Sequence, residues 1–209
     1  MINKWSVGIF LFNEVEVLDF AGPFEVFSVT EADEEKPFTV YTVSQNGEMI
    51  TARKGLKVKP DYSIEDLPPV DILIIPGGKG VRENEVQNDI IINWVRQQMK
   101  EVKLMTSVCT GALLLAKAGL LEGLKATTHW ASIQTFKKDY PNVEVMENVK
   151  FVDEGHIITS AGISAGINMS FHIVKNLLGV EIAEETAKSM EYDIDLQNKK
   201  AQAGLFYID

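Results

Sequence analysis

The sequence predicts an α/β domain built on a mainly parallel sheet with helices on both faces. Three observations predict it. Apolar runs such as Trp5 to Phe12 and Asp71 to Ile75 are nearly unbroken, as expected of strands covered on both sides. These runs alternate with segments whose apolar residues recur at helical spacing. The stretch from Val102 to Ala116 reads as a short apolar run, a corner of small residues and a good helix.

Taken in order, Trp5 to Phe12 is the first strand, and Asp19 to Thr30 carries Phe20, Phe24, Val26 and Phe27 at helical spacing. Glu31 to Lys36 is a charged loop, read as a solvated surface. Phe38 to Ser44 is a second strand, and Asn46-Gly47 marks a turn. Met49 to Ala52 and Leu56 to Val58 read as a short peripheral hairpin. Asp71 to Ile75 is a buried strand closed by Pro76-Gly77-Gly78. Asn88 is placed to cap a helix over Asp89 to Lys100. The Cys109 strand and helix follow, with Gly119 as a C-cap signal. Ala131 to Lys138 reads as a helix that stops before Pro141. Val149 to Val152 and His156 to Thr159 flank Glu154-Gly155 as a hairpin. Ala165 to Leu178 is a strongly apolar helix, and Ile182 to Ser189 is the last. No repeat or linker divides the chain, so residues 1–209 are read as one domain.

Composition narrows the function. The formal net charge is −10, which opposes binding to nucleic acid or to an anionic membrane surface. No apolar run is long enough for a membrane span, and nothing resembles a signal peptide. A single cysteine precludes an intramolecular disulfide and suits a reducing compartment. The expected location is the cytoplasm. No acids or histidines have metal-ligand spacing, so no metal is expected.

Cys109 stands at the corner, with Ser107 two residues before it and Gly111 two after. This small-x-Cys-x-Gly pattern is that of a nucleophile elbow with Cys in place of Ser. The following helix directs free N–H groups at the sulfur, which favours thiolate over thiol. The alternative is a buried cysteine packing as a small hydrophobe.

Ligands of open α/β sheets bind beyond the carboxyl ends of the strands. Three segments should meet there: Cys109, Gly77-Gly78 and the loop containing Asp19. The backbone N–H groups of Gly77, Gly78 and Thr110 are candidates for an oxyanion-type hole. Gly77-Gly78 also fits a plain turn. Asp19 fits an N-cap as well as a catalytic acid, with Gly22-Pro23 then in the first helical turn. His129 fits a structural hydrogen-bonding role as well as one in the site. His156 reads as exposed, and His172 as lying at the edge of the core.

Ser107-Val108-Cys109-Thr110-Gly111, Pro76-Gly77-Gly78, Leu18-Asp19-Phe20-Ala21-Gly22-Pro23 and Ala126-Thr127-Thr128-His129-Trp130 together resemble the ThiJ/PfpI superfamily. The resemblance runs from about Val7 to Leu178. It implies the glutamine amidotransferase-like, flavodoxin-type three-layer sandwich. Within the superfamily the pattern is similar to the isocyanide (isonitrile) hydratase branch. That branch implies that Cys109 is the nucleophile and that Asp19 hydrogen-bonds the sulfur and moves protons. It places Thr110 beside the nucleophile and Gly162-Ile163-Ser164 against the pocket. The peptidase branch carries His directly after Cys, where this chain has Thr110. The deglycase branches use Glu where this chain has Asp19.

The resemblance thus implies a cofactor-free lyase that hydrates small isocyanides to N-formamides, working as a homodimer on a small-molecule substrate. Two other readings stay open. One is a non-enzymatic metabolite-binding module. Related domains occur fused to DNA-binding regions, but this chain ends at Asp209 and is expected to lack room for one. The other is a redox-sensing or aldehyde-stress protein that uses the same thiol.

Overall fold

The structure, a computed structural model, describes residues 3–196 and 202–204. Residues 1, 2, 197–201 and 205–209 of the expected 1–209 domain lie outside the described residues. The chain opens with β1 (Trp5–Phe10), α1 (Val17–Val29) and β2 (Phe38–Ser44). The short strands β3 (Ile50–Thr51), β4 (Lys57–Val58) and β5 (Tyr62–Ser63) precede β6 (Ile72–Ile75). Then come α2 (Lys79–Glu83), α3 (Asp89–Gln98), β7 (Leu104–Val108) and α4 (Gly111–Lys117). β8 (Lys125–Ala126), α5 (Ile133–Asp139) and β9 (Glu144–Val145) form an excursion. β10 (Phe151–Asp153), β11 (Ile157–Ser160), α6 (Ala165–Leu178), α7 (Val180–Ser189) and β12 (Gln202–Gly204) complete the described chain.

The main sheet has eight strands in the order β12-β10-β11-β7-β6-β1-β2-β5. Every neighbouring pair is parallel except β10 with β11. The unbroken apolar runs are its centre: β6 and β7 are buried throughout, and β1 from Val7 to Phe10. Asp71 ties the start of β6 to its neighbours. Its Oδ2 accepts from the Ser6 N–H at 2.8 Å and the Ser6 hydroxyl at 2.9 Å. From β1 the chain crosses to β2 on one side, and from β6 it crosses to β7 on the other. Right-handed crossovers therefore place α1 and α3 on opposite faces. α6 and α7 join α1, while α4 joins α3. The reversal of direction between β1 and β6 is a topological switch point, where such sheets leave a crevice.

The expected elements are present, with bounds shifted by a few residues. Asn88 caps α3, its side chain accepting from the Ile91 N–H. β3 and β4 form the short antiparallel hairpin. β10 and β11 turn through Gly155, where φ is 87°. α1 begins at Val17, two residues before Asp19, and Pro23 lies inside it. α2, β5, the small β8–β9 sheet and β12 were not anticipated. His172 is buried, with Nε2 2.7 Å from Asp153 Oδ2, which fastens α6 to β10. His156 is exposed.

Candidate active site

The sharp turn after β7 exists because the chain must leave a buried parallel strand and enter α4 at once. Cys109 makes that turn at φ 58°, in the left-handed region that costs a non-glycine residue on the order of 1 kcal/mol or more. Neighbours hold it there. The Cys109 N–H donates to the Ser160 carbonyl at 3.1 Å, and the Thr128 hydroxyl donates to the Cys109 carbonyl at 2.8 Å. Gly77 packs so closely on the turn that a Cβ there would lie 2.5 Å from the Thr110 nitrogen. At Gly162 a Cβ would lie 2.9 Å from the Cys109 sulfur and 2.5 Å from His129 Cδ2. Gly77 needs glycine because the nearest atom is backbone, whereas at Gly162 a methyl group would have to displace the side chains of His129 and Cys109.

The structure brings Asp19, Gly77, Gly78, Cys109 and Thr110 together at the switch point. Asp19 is fully buried. It is not the helix cap: Glu16 holds that position, and Asp19 lies in the first turn of α1. Its Oδ2 instead accepts from the Gly77 N–H at 3.0 Å. Oδ1 has no hydrogen-bond partner among the described residues, and the Cys109 thiol is the side chain whose hydrogen bonding bears on the carboxyl.

The Gly78 N–H donates to the Thr110 hydroxyl at 2.9 Å, and that hydroxyl lies 3.2 Å from the Gly78 carbonyl as a donor to it. The two glycine N–H groups expected to face an anion are therefore committed within the protein. They position Asp19 and Thr110. The Thr110 N–H is directed at the sulfur.

Burial raises the Asp19 carboxyl from 3.8 to about 7, with the Gly77 N–H and the Cys109 thiol opposing the shift. Burial also pushes the Cys109 thiol up, and the Asp19 charge pushes it further. The Thr110 N–H and hydroxyl pull it back only in part. The lowered thiol pKa expected from the helix N-terminus is thus corrected. α4 is short, the thiol is almost out of water, and a carboxyl of like charge lies beside it. Two acids so close cannot both ionise easily, so they titrate as a pair.

Cys109 opens onto a cavity of about 100 Å³. Thr110, Gly78, His129 and Ile163 share its lining. His129 accepts the Ala131 N–H on Nδ1 at 3.2 Å, which leaves the hydrogen on Nε2. Burial and then the Arg82 charge hold this ring below its ordinary pKa, so it is neutral. Ser164, expected against the pocket, is instead exposed at the N-cap position of α6. Glu16, Arg53 and Arg82 also line the cavity, and sequence reasoning missed all three. Arg53 lies in a 3-10 turn and Arg82 in the unanticipated α2. The available signal was Arg82 following Pro76-Gly77-Gly78 at the carboxyl end of a central strand.

A second cavity, of about 170 Å³, lies among Phe12, Ser44, Ile50 and Glu85 and does not include Cys109. Among the described residues, no group of three or more His, Cys, Asp or Glu is placed to hold a metal ion, and no helix is long and apolar enough to cross a membrane.

The chain is similar to known proteins along most of its length. An isonitrile hydratase from Pseudomonas putida is 33% identical over 187 residues, which is 90% of this chain and 78% of the hydratase. The transcriptional regulator GbdR from Pseudomonas aeruginosa is 24% identical over 91% of this chain but only 52% of its own length. This chain therefore spans about half of that regulator. The crystal structure of a ThiJ/PfpI family protein from Pseudomonas syringae superposes with a TM-score of 0.83 at 25% identity, covering 94% of this chain and 78% of that one. The family model for DJ-1/PfpI matches residues 5–176, which takes in every strand of the main sheet but β12 together with the elbow and the cavity lining, and the chain belongs to the DJ-1/PfpI family.

Proposed function

We propose that the chain is a cysteine-dependent hydratase that converts small isocyanides to N-formamides. The observation that carries this reading is the buried Asp19 carboxyl, raised to about 7 beside the Cys109 thiol. Such a group can be protonated or ionised near neutral pH, so one residue can serve as acid and then as base. The 33% identity to an isonitrile hydratase supports the same activity.

The steps balance as follows. The thiol proton moves to Asp19, and the thiolate attacks the terminal isocyanide carbon to form a C–S bond. Asp19 returns a proton to that carbon, leaving a thioimidate, Cys109–S–CH=N–R. Water adds to the same carbon while Asp19 takes its proton. Asp19 gives that proton to the nitrogen, the adduct Cys109–S–CH(OH)–NH–R breaks its C–S bond as its hydroxyl proton passes to Asp19, and HC(=O)–NH–R leaves with the Asp19–Cys109 pair again singly protonated. His129, which lines the cavity, and the Thr110 N–H, which is directed at the sulfur, are donors available to this chemistry. The small cavity suits a small substrate and admits little water.

The reading includes a cytoplasmic setting and a homodimer; exposed Leu18 and Phe24 on α1 are apolar surface for the second copy.

Intact-protein mass spectrometry tests the covalent step. With excess n-butyl isocyanide, an acid quench of the wild type during turnover should trap an adduct of one isocyanide mass at Cys109, and Asp19→Asn should form it far more slowly, because it lacks both the acceptor for the thiol proton and the donor to carbon. No adduct in either wild type or variant under any quench would contradict covalent catalysis.

A further inference from the structure

The walls of the Cys109 cavity carry more charge than a neutral isocyanide requires. A simple alkyl isocyanide has no net charge, and a mainly apolar lining with a few donors would hold it. Three ionic side chains line this cavity: Glu16, Arg53 and Arg82. Two of them cancel, since Arg53 Nη1 lies 2.9 Å from Glu16 Oε2. Arg82 remains. Among the described residues it forms no ion pair. Its charge is nevertheless felt at the cavity wall, where it helps to keep His129 neutral. A guanidinium facing a small reactive cavity without a protein carboxylate is suited to a ligand carboxylate, which matches its planar fork of donors.

We propose that Arg82 is an anion-binding residue of this site and that the substrate is a small isocyanide bearing a carboxylate. The isocyanide half of this statement rests on the hydratase reading; the anionic half rests on the cavity alone. Arg82 is exposed, so the attraction should weaken with added salt.

The test uses the reactivity of Cys109 itself. Iodoacetate and iodoacetamide offer the same electrophilic carbon, one with a negative charge and one without. In each case a C–S bond forms, the C–I bond breaks and iodide leaves. The ratio of the two rates cancels the ionisation of the thiol, which is common to both. At low salt the wild type should react with iodoacetate in preference to iodoacetamide, with a ratio about 10-fold above that of a small free thiol. Arg82→Gln should bring the ratio down to the free-thiol value. Lys79→Gln should keep it, since Lys79 pairs with Glu83 at 3.4 Å and lies outside the cavity lining. A wild-type ratio no higher than that of a free thiol overturns the anion site. So does a ratio unchanged in Arg82→Gln, or one lowered equally by Lys79→Gln.

Turnover of isocyanoacetate against its ethyl ester then tests the substrate. Preference for the ester overturns the proposal. Hydration of no isocyanide overturns the hydratase reading, and the alkylation ratio still decides the anion site.

Discussion

A thiol pushed upward by burial can still be a nucleophile when the carboxyl beside it accepts its proton. The Asp19–Cys109 pair loses one proton near pH 7 and holds the second well above the ordinary thiol range. The singly protonated pair includes the form with thiolate on Cys109 and the proton on Asp19. Alkylation of Cys109 by iodoacetamide should therefore rise through about pH 7 and then level off. In Asp19→Asn the rise should move to higher pH, at or beyond the ~8.5 of an ordinary cysteine, because burial remains and the acceptor is gone. A shift to lower pH would mean that Asp19 acts only as a repelling charge. For turnover, Cys109→Ser should be close to inactive, since a hydroxyl is far less acidic than a thiol. Asp19→Asn should lose about 10²–10⁴-fold, read as formamide formed per minute.

At the scale of elements, the site is three strand ends and the close contacts among them. Gly162 illustrates it: the backbone before α6 touches the sulfur with no space for a methyl group. Gly162→Ala should fold, since His129 can move, but lose about 10²-fold in kcat through a misplaced sulfur, with an unchanged circular dichroism spectrum as the control. Much of this was legible. Unbroken apolar runs identify β1, β6 and β7, and the spacing of Ser107, Cys109 and Gly111 identifies the elbow. Asn88 announced α3 because capping is local chemistry. α2 was not legible, because five residues cannot show helical periodicity. The commitment of the Gly77 and Gly78 N–H groups was hidden too. It depends on how close Asp19 and Thr110 come in space, which no spacing along the chain records. The thiol pKa was misjudged for the same reason: the helix is visible in sequence, but the burial and the facing carboxyl are not.

For the whole molecule, the site has a stability cost with a definite sign. Asp19 holds its proton up to about pH 7 in the folded chain and has an ordinary value of 3.8 outside it. Between these values the folded state binds more protons than the unfolded state, so this contribution to stability falls as pH rises and is lowest above 7. Asp19→Asn removes the buried charge. It should be more stable than the wild type at pH 8, by on the order of 2–4 kcal/mol, with the difference shrinking as pH falls toward 4. Urea unfolding at pH 8 and pH 5 checks this; a variant no more stable at pH 8 would show that the carboxylate is not strained by burial. What the molecule does with that strained pair is decided by one measurement, in which n-butyl isocyanide is incubated with wild-type protein and with Cys109→Ala, and the product is followed by proton NMR. The account predicts many turnovers to N-butylformamide by the wild type and none by Cys109→Ala. No formamide from the wild type, or formamide from Cys109→Ala at the wild-type rate, would contradict it.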